Sequence, residues 1–141
     1  MSLQINEKEI RGIIVLEVSG RLVLGQESMD FRGKIREVLE KSDWIKEKWG
    51  WNTRIVLDLG NLGFVDSAGL GAVIAARTAC VSRGAGIKLA NLTKKMRDAL
   101  TITKLVTVFD VYDSVEAALK SFPPAEAAQD ESTPENTTPQ A

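Results

Sequence analysis

An acid and a serine stand side by side at Asp66-Ser67, and Ala68-Gly69-Leu70-Gly71 follows directly. A serine hydroxyl can attack an acyl or phosphoryl centre, or it can receive a phosphate from a partner kinase. The first chemistry needs a base beside the hydroxyl. The chain of 141 residues holds no histidine, which removes Ser-His-Asp and Cys-His catalysis and most zinc sites. Only a lysine or a carboxylate could act as base, and no lysine lies near Ser67 in sequence. An enzyme built on Ser67 is therefore disfavoured, and no catalytic residue, metal or cofactor is expected. The second chemistry needs only an accessible hydroxyl. A helix N-terminus has unpaired N–H groups and a partial positive charge. A phosphate there would add about −1.5 to −2 charges near neutral pH without melting the helix. A plainer reading fits the same residues, because Asp and Ser are preferred N-caps and Gly is common in turns. Spacing alone leaves both readings open.

The elements that must position this segment are read from hydrophobic period. Leu3, Ile5 and Glu7 alternate with polar neighbours, and a turn is expected over Glu9 to Gly12. Ile13 to Val18 is an apolar run broken only by Glu17, which suits a strand buried on both faces and ended by Gly20. Helical spacing of Phe31, Ile35, Val38 and Leu39 predicts a helix from about Gln26. Its stripe could continue through Ser42, Ile45 and Trp49 to a stop at Gly50. Arg54 to Leu59 reads as a central strand, Gly60-Asn61-Leu62-Gly63 as a loop, and a helix begins near Asp66 or Ser67. Ile87 to Ala90 is a further strand, and Thr93 caps a helix through Met96 and Leu100. Val108 to Val111 is a fifth strand. Asp113-Ser114-Val115-Glu116 resembles a capping box with Asp as the cap, opening a helix that Pro123-Pro124 stops. The pattern predicts an α/β fold with a mixed, mostly parallel sheet of about five strands and about four helices.

Composition sets outer limits. From Pro123 onward the chain carries Glu126, Asp130, Glu131 and Glu135 and no Lys or Arg. That stretch is also rich in Pro, Ala, Ser and Thr, so residues 123–141 are expected to be a disordered acidic tail after one domain at 1–122. Without those four acids, 18 basic residues face 15 acidic ones. This excess is too small for a nucleic-acid partner. The single cysteine, Cys80, fits a reducing compartment and a core position. No basic segment followed by an apolar run opens the chain, and no apolar stretch reaches the roughly 18 residues of a membrane span. A cytoplasmic protein without membrane insertion is the expectation. No Walker-type glycine loop is present, so any ATP would come with a partner.

Two runs carry a resemblance. Ile55-Val56-Leu57-Asp58-Leu59 followed by Phe64-Val65-Asp66-Ser67-Ala68-Gly69-Leu70-Gly71 resembles the signature of STAS domains. Ile102 to Phe109 followed by Val111-Tyr112-Asp113-Ser114 is similar to the C-terminal part of the bacterial anti-sigma factor antagonists among them. The resemblance covers about residues 3–122 and implies a STAS fold. It implies that Ser67 is the phosphoacceptor of a serine kinase that is itself an anti-sigma factor. The bare domain would bind that kinase and release a sigma factor, and a serine phosphatase would reset it. Asp66 would support the phosphosite, with Ala68, Gly69, Leu70 and Gly71 completing the partner surface. The antagonists also carry an acidic pair in a Gly-Glu-Leu-Asp segment that contributes partner contacts. Here it reads Gly20-Arg21-Leu22-Val23, which places Arg21 and Val23 where a partner would touch.

Trp44, Trp49 and Trp51 crowd a stretch longer than the family has at that place. They either pin the extended helix to the domain or form a partner or self-association surface. The departure at Arg21 and Val23 and this insert also fit another role, a scaffold or regulatory STAS subunit of a stress-sensing assembly or transporter.

Overall fold

The computed structural model describes residues 2–123. The acidic tail expected over 123–141 lies outside the described residues apart from Pro123. Strand β1 (Gln4–Ile10) turns at Arg11-Gly12 into β2 (Ile13–Leu22), and the two pair antiparallel. Helices α1 (Gln26–Leu39) and α2 (Ser42–Trp49) lead to β3 (Arg54–Val65), which lies parallel to β2. Helix α3 (Ser67–Ser82), β4 (Gly86–Ala90) and α4 (Lys94–Ile102) follow, and then β5 (Val111–Tyr112) and α5 (Val115–Ser121). The sheet order is β1-β2-β3-β4-β5, and every pair after the first is parallel. The mixed, mostly parallel α/β sheet is therefore as expected.

Both faces of the central strands are buried, which explains their near-continuous apolar runs. Leu16, Ile55, Leu57 and Leu89 pack with Phe31 and Val38 of α1, Val73 and Cys80 of α3, and Leu100 of α4. Val15, Val56 and Ala90 on the opposite face pack under Ala118, Leu119 and Phe122 at the α5 end. Cys80 is fully buried, and desolvation pushes its thiol up to about 11. The edge strand β1 is tied to α1 through Glu7, which bonds Lys34 at 2.7 Å and Lys41 at 2.8 Å. Burial alone would raise the Glu7 carboxyl, but hydrogen bonds from the two lysines prevail and lower it.

Several boundaries differ from the sequence reading. Gly20 does not end β2. The strand runs on to Leu22 with register shifts between Glu17 and Ser19 and between Gly20 and Arg21. The expected loop at Gly60-Asn61-Leu62-Gly63 is strand, because Asn61 and Leu62 pair with Ser19 and Gly20. The long helix breaks after Leu39. The Lys41 N–H turns to the carbonyl of Val38 and the Ser42 hydroxyl to that of Leu39, so α2 starts as a separate helix. Gly50 does cap α2, in a left-handed conformation. A 3-10 turn at Leu105–Thr107 takes up the chain before Phe109, which is buried, and the fifth strand shrinks to Val111–Tyr112. Ser114 rather than Asp113 caps α5, accepting from the Ala117 N–H at 3.0 Å.

The tryptophan insert divides. Trp49 and Trp51 stack at 5.9 Å, and Trp51 donates to the Gly12 carbonyl at 3.4 Å. A Cβ on Gly12 would approach Trp49 to 2.5 Å, so the turn between β1 and β2 is moulded to these rings. Trp44 is 49% exposed with Lys48 over its ring at 4.9 Å. Local packing accounts for Trp49 and Trp51, and only Trp44 presents much of its ring to the outside.

Candidate functional site

In a parallel sheet the loops beyond the carboxyl ends of the strands converge at one edge. The ends of β2 and β3 meet there, because Leu22 pairs with Val65. Asp66 follows at once and takes extended backbone angles as the N-cap of α3. One carboxylate oxygen accepts from the Gly69 N–H at 2.8 Å and the other from the Leu24 N–H at 3.0 Å. The Asp66 N–H itself donates to the Leu22 carbonyl at 3.3 Å. A single acid thus caps one helix and tethers the loop that opens another. Hydrogen bonds from Gly69 and then Leu24 hold its carboxyl below the ordinary 3.8.

The folded state therefore binds the Asp66 proton more weakly than the unfolded chain does. Its contribution to stability is present above the ordinary carboxylate range and is lost as pH falls through the lowered value. An amide at this position can accept at one end only. Asp66→Asn is expected to lower the thermal midpoint near neutral pH and to flatten the acid limb of the stability curve. Thermal melts between about pH 2 and pH 7 check this, and an acid limb identical to that of the unaltered chain would refute the tether.

The two readings of the Asp66-Ser67 pair separate by residue. Capping accounts for Asp66. Ser67 is the first residue of α3, is exposed, and its hydroxyl makes no hydrogen bond among the described residues. Among the described residues no side chain is hydrogen-bonded to that hydroxyl as an activating base would be. The first turn of this 16-residue helix carries no acid beyond the Asp66 cap, and the N–H groups that the cap does not take keep a partial positive charge for an added anion.

The remaining expected residues fall on different sides of the surface. Gly69 is buried, and a Cβ there would be driven into the Leu22 carbonyl. Its missing side chain admits the chain's own strand rather than a partner. Gly71 has nothing within 4 Å of where a Cβ would stand. Ala68 and Leu70 are half-buried. Arg21 is exposed and lies over the Phe64 ring at 5.8 Å. Val23 corrects the sequence reading, because at 9% exposure its side chain belongs to the interior and not to a contact surface. Trp49 and Trp51 lie near Gly12, at the opposite end of β2 from Leu22 and Val23.

Sequence reasoning missed the apolar residues beside Ser67. Leu24 is 76% exposed and Phe64 47%. Leu24 is the residue tethered by Asp66, and Phe64 precedes that acid by two positions. The available signal was Leu24 itself, an apolar residue placed after the strand alternation had ended and before the helical stripe began. A shallow crevice of about 70 Å³ continues from Phe64 toward Lys95 and Ala99 of α4.

The family model described as STAS domain matches residues 4–118. The anti-sigma F factor antagonist of Paenibacillus polymyxa is 26% identical over 119 residues, spanning 84% of this chain and 94% of that protein. Among solved structures, the Bacillus cell fate determinant SpoIIAA in its phosphorylated form aligns with a TM-score of 0.61 at 21% identity. The alignment covers 84% of this chain and 97% of that one. A sulfate transporter family protein from Wolinella succinogenes aligns with a TM-score of 0.60 at 19% identity, covering 80% of this chain and 86% of that one. At such identities the two structures establish a shared fold and no more.

Proposed function

The chain belongs to the STAS domain family, and from that premise we propose that it is an anti-sigma factor antagonist switched by phosphorylation of Ser67. The bare domain binds a kinase-type anti-sigma factor, which frees a sigma factor. The kinase then places a phosphate on Ser67 and the contact breaks, and a serine phosphatase restores the bare form. The observation that carries the reading is the free, exposed Ser67 hydroxyl at the start of α3, beside an acid already committed to the fold. Leu24, tethered by Asp66, and Phe64 supply exposed apolar area close to it, and a charge set among desolvated apolar contacts opposes binding strongly.

Incubation with the kinase-type anti-sigma factor of the same organism and ATP tests the assignment by mass spectrometry. One phosphate is expected on the peptide containing Ser67, and none on Ser67→Ala. Modification elsewhere, or unchanged modification of Ser67→Ala, would reject Ser67 as the acceptor.

A second reading is a scaffold or regulatory subunit of a stress-sensing assembly or transporter. It is favoured by Arg21 standing over Phe64 in place of an acid, and the fold is compatible with it, being shared with the Wolinella protein as well as with SpoIIAA. It predicts a stable high-mass or membrane-associated complex that survives Ser67→Asp, whereas the antagonist reading predicts loss of the complex.

A further inference from the structure

A groove of about 400 Å³ runs between α1 and α3, away from the Ser67 end. Its floor includes Ala75, Ala76 and Ala79, whose short side chains leave the two helices incompletely closed over one another. Arg32, Arg36 and Arg83 line its rim. Among the described residues none of these three arginines forms an ion pair. Arg83 donates only to the Leu39 carbonyl, at 3.3 Å. An apolar floor with three uncompensated cations calls for an acidic occupant with small side chains.

The chain itself contains one. Residues 124–141 include Glu126, Asp130, Glu131 and Glu135, no lysine or arginine, and Ala125, Ala127 and Ala128 beside the first acid. Glu126 and Asp130 are four residues apart, as are Arg32 and Arg36. The described chain also ends in the right place. The Pro123 carbonyl accepts from Arg54 at 2.7 Å. Arg54 opens β3 opposite Gly86, and Asn52 donates to the Gly84 carbonyl at 3.1 Å, next to Arg83. Pro123 and the Arg83 mouth of the groove therefore share one end of the sheet. To pass from one to the other the chain must round the end of the sheet, from the face that α5 covers to the face that α1 and α3 cover. Asp130, seven residues beyond Pro123, can reach up to about 25 Å from it.

We propose that the segment 124–141 folds back onto its own domain, setting Glu126, Asp130 and Glu131 against Arg32, Arg36 and Arg83 and laying Ala127 and Ala128 over the alanine floor. The composition that denies this segment a core of its own is no obstacle, because the groove supplies the apolar surface and the counter-charge. The contact does not depend on the role of Ser67.

A nitroxide on Ser132→Cys in the full chain tests this by amide NMR. Cys80 is fully buried and its thiol is pushed up to about 11, so the label goes to the introduced cysteine. Selective broadening of the Arg36, Ala75, Ala79 and Arg83 amides is expected, with β1 unaffected. It should vanish at about 0.5 M salt, where screening acts within about 4 Å. It should vanish also in Glu126→Lys/Asp130→Lys/Glu131→Lys, and return when Arg32→Glu/Arg36→Glu/Arg83→Glu is added to that variant. Broadening spread over the whole surface, or unaltered by the tail substitutions, would overturn the proposal. So would broadening of an unlabelled chain mixed with a labelled one, which would mean contact between copies. The tail substitutions leave the domain untouched, so a failure of the arginine variant to fold does not remove the test.

Discussion

Gly69→Ala is expected to destabilise the domain by about 4 kcal/mol, beyond the usual range for an overpacked site. The reason is what the added methyl would meet. A crowded side chain can rotate away, but the obstacle here is the Leu22 carbonyl. That carbonyl sits at the end of a strand paired to Val65 and accepts the Asp66 N–H. Moving it would disturb the β2–β3 pairing and the Asp66 tether together. Gly71→Ala, two positions along the same helix, meets nothing and should stabilise by roughly 0.5–1 kcal/mol through helix propensity. Chemical denaturation of the two variants side by side checks the contrast. Equal effects would mean that the close approach of α3 to β2 is not what requires glycine at 69.

Ser67→Asp is expected to act on binding and stability in opposite directions. A carboxylate at the first residue of α3 faces the positive end of the helix, and repulsion from the adjacent Asp66 cap offsets part of the gain. It should therefore leave the domain as stable as before or raise stability by about 0.3–1 kcal/mol. The same charge next to Asp66 and the exposed Leu24 should weaken binding of the kinase-type partner by about 100-fold, or roughly 3 kcal/mol. Parallel melts and titrations separate the two effects. Weak binding accompanied by a lower midpoint would point to misfolding rather than a switch.

Much of the site was legible because local chemistry decided it. Asp66 caps α3 and Thr93 caps α4, each accepting the N–H three residues on, as their residue types suggest. The strand at Ile87 to Ala90 and the α1 stripe were also local signals. What escaped was set by distant partners. Gly60, Asn61 and Gly63 are poor strand formers, and β3 persists through them because β2 supplies the pairing. The break between α1 and α2 depends on carbonyls at Val38 and Leu39 being taken from outside the helical ladder. Gly69 looked like an opening for a partner because its neighbour across space, the Leu22 carbonyl, is 47 positions away in sequence. Val23 looked like a contact because family position, not burial, placed it on the surface. Leu24 and Phe64 became candidates only when the Asp66 tether joined their loops.

The central claim is that one phosphate at the start of α3 alters what the domain binds without altering its fold. Calorimetric titration of the kinase-type anti-sigma factor with three forms of the protein tests it most directly: bare Ser67, phosphorylated Ser67 and Ser67→Ala. The bare and Ser67→Ala forms should bind alike, and the phosphorylated form about 100-fold more weakly, with no fall in thermal midpoint for any of the three. A phosphorylated form that binds as tightly as the bare one would contradict the account.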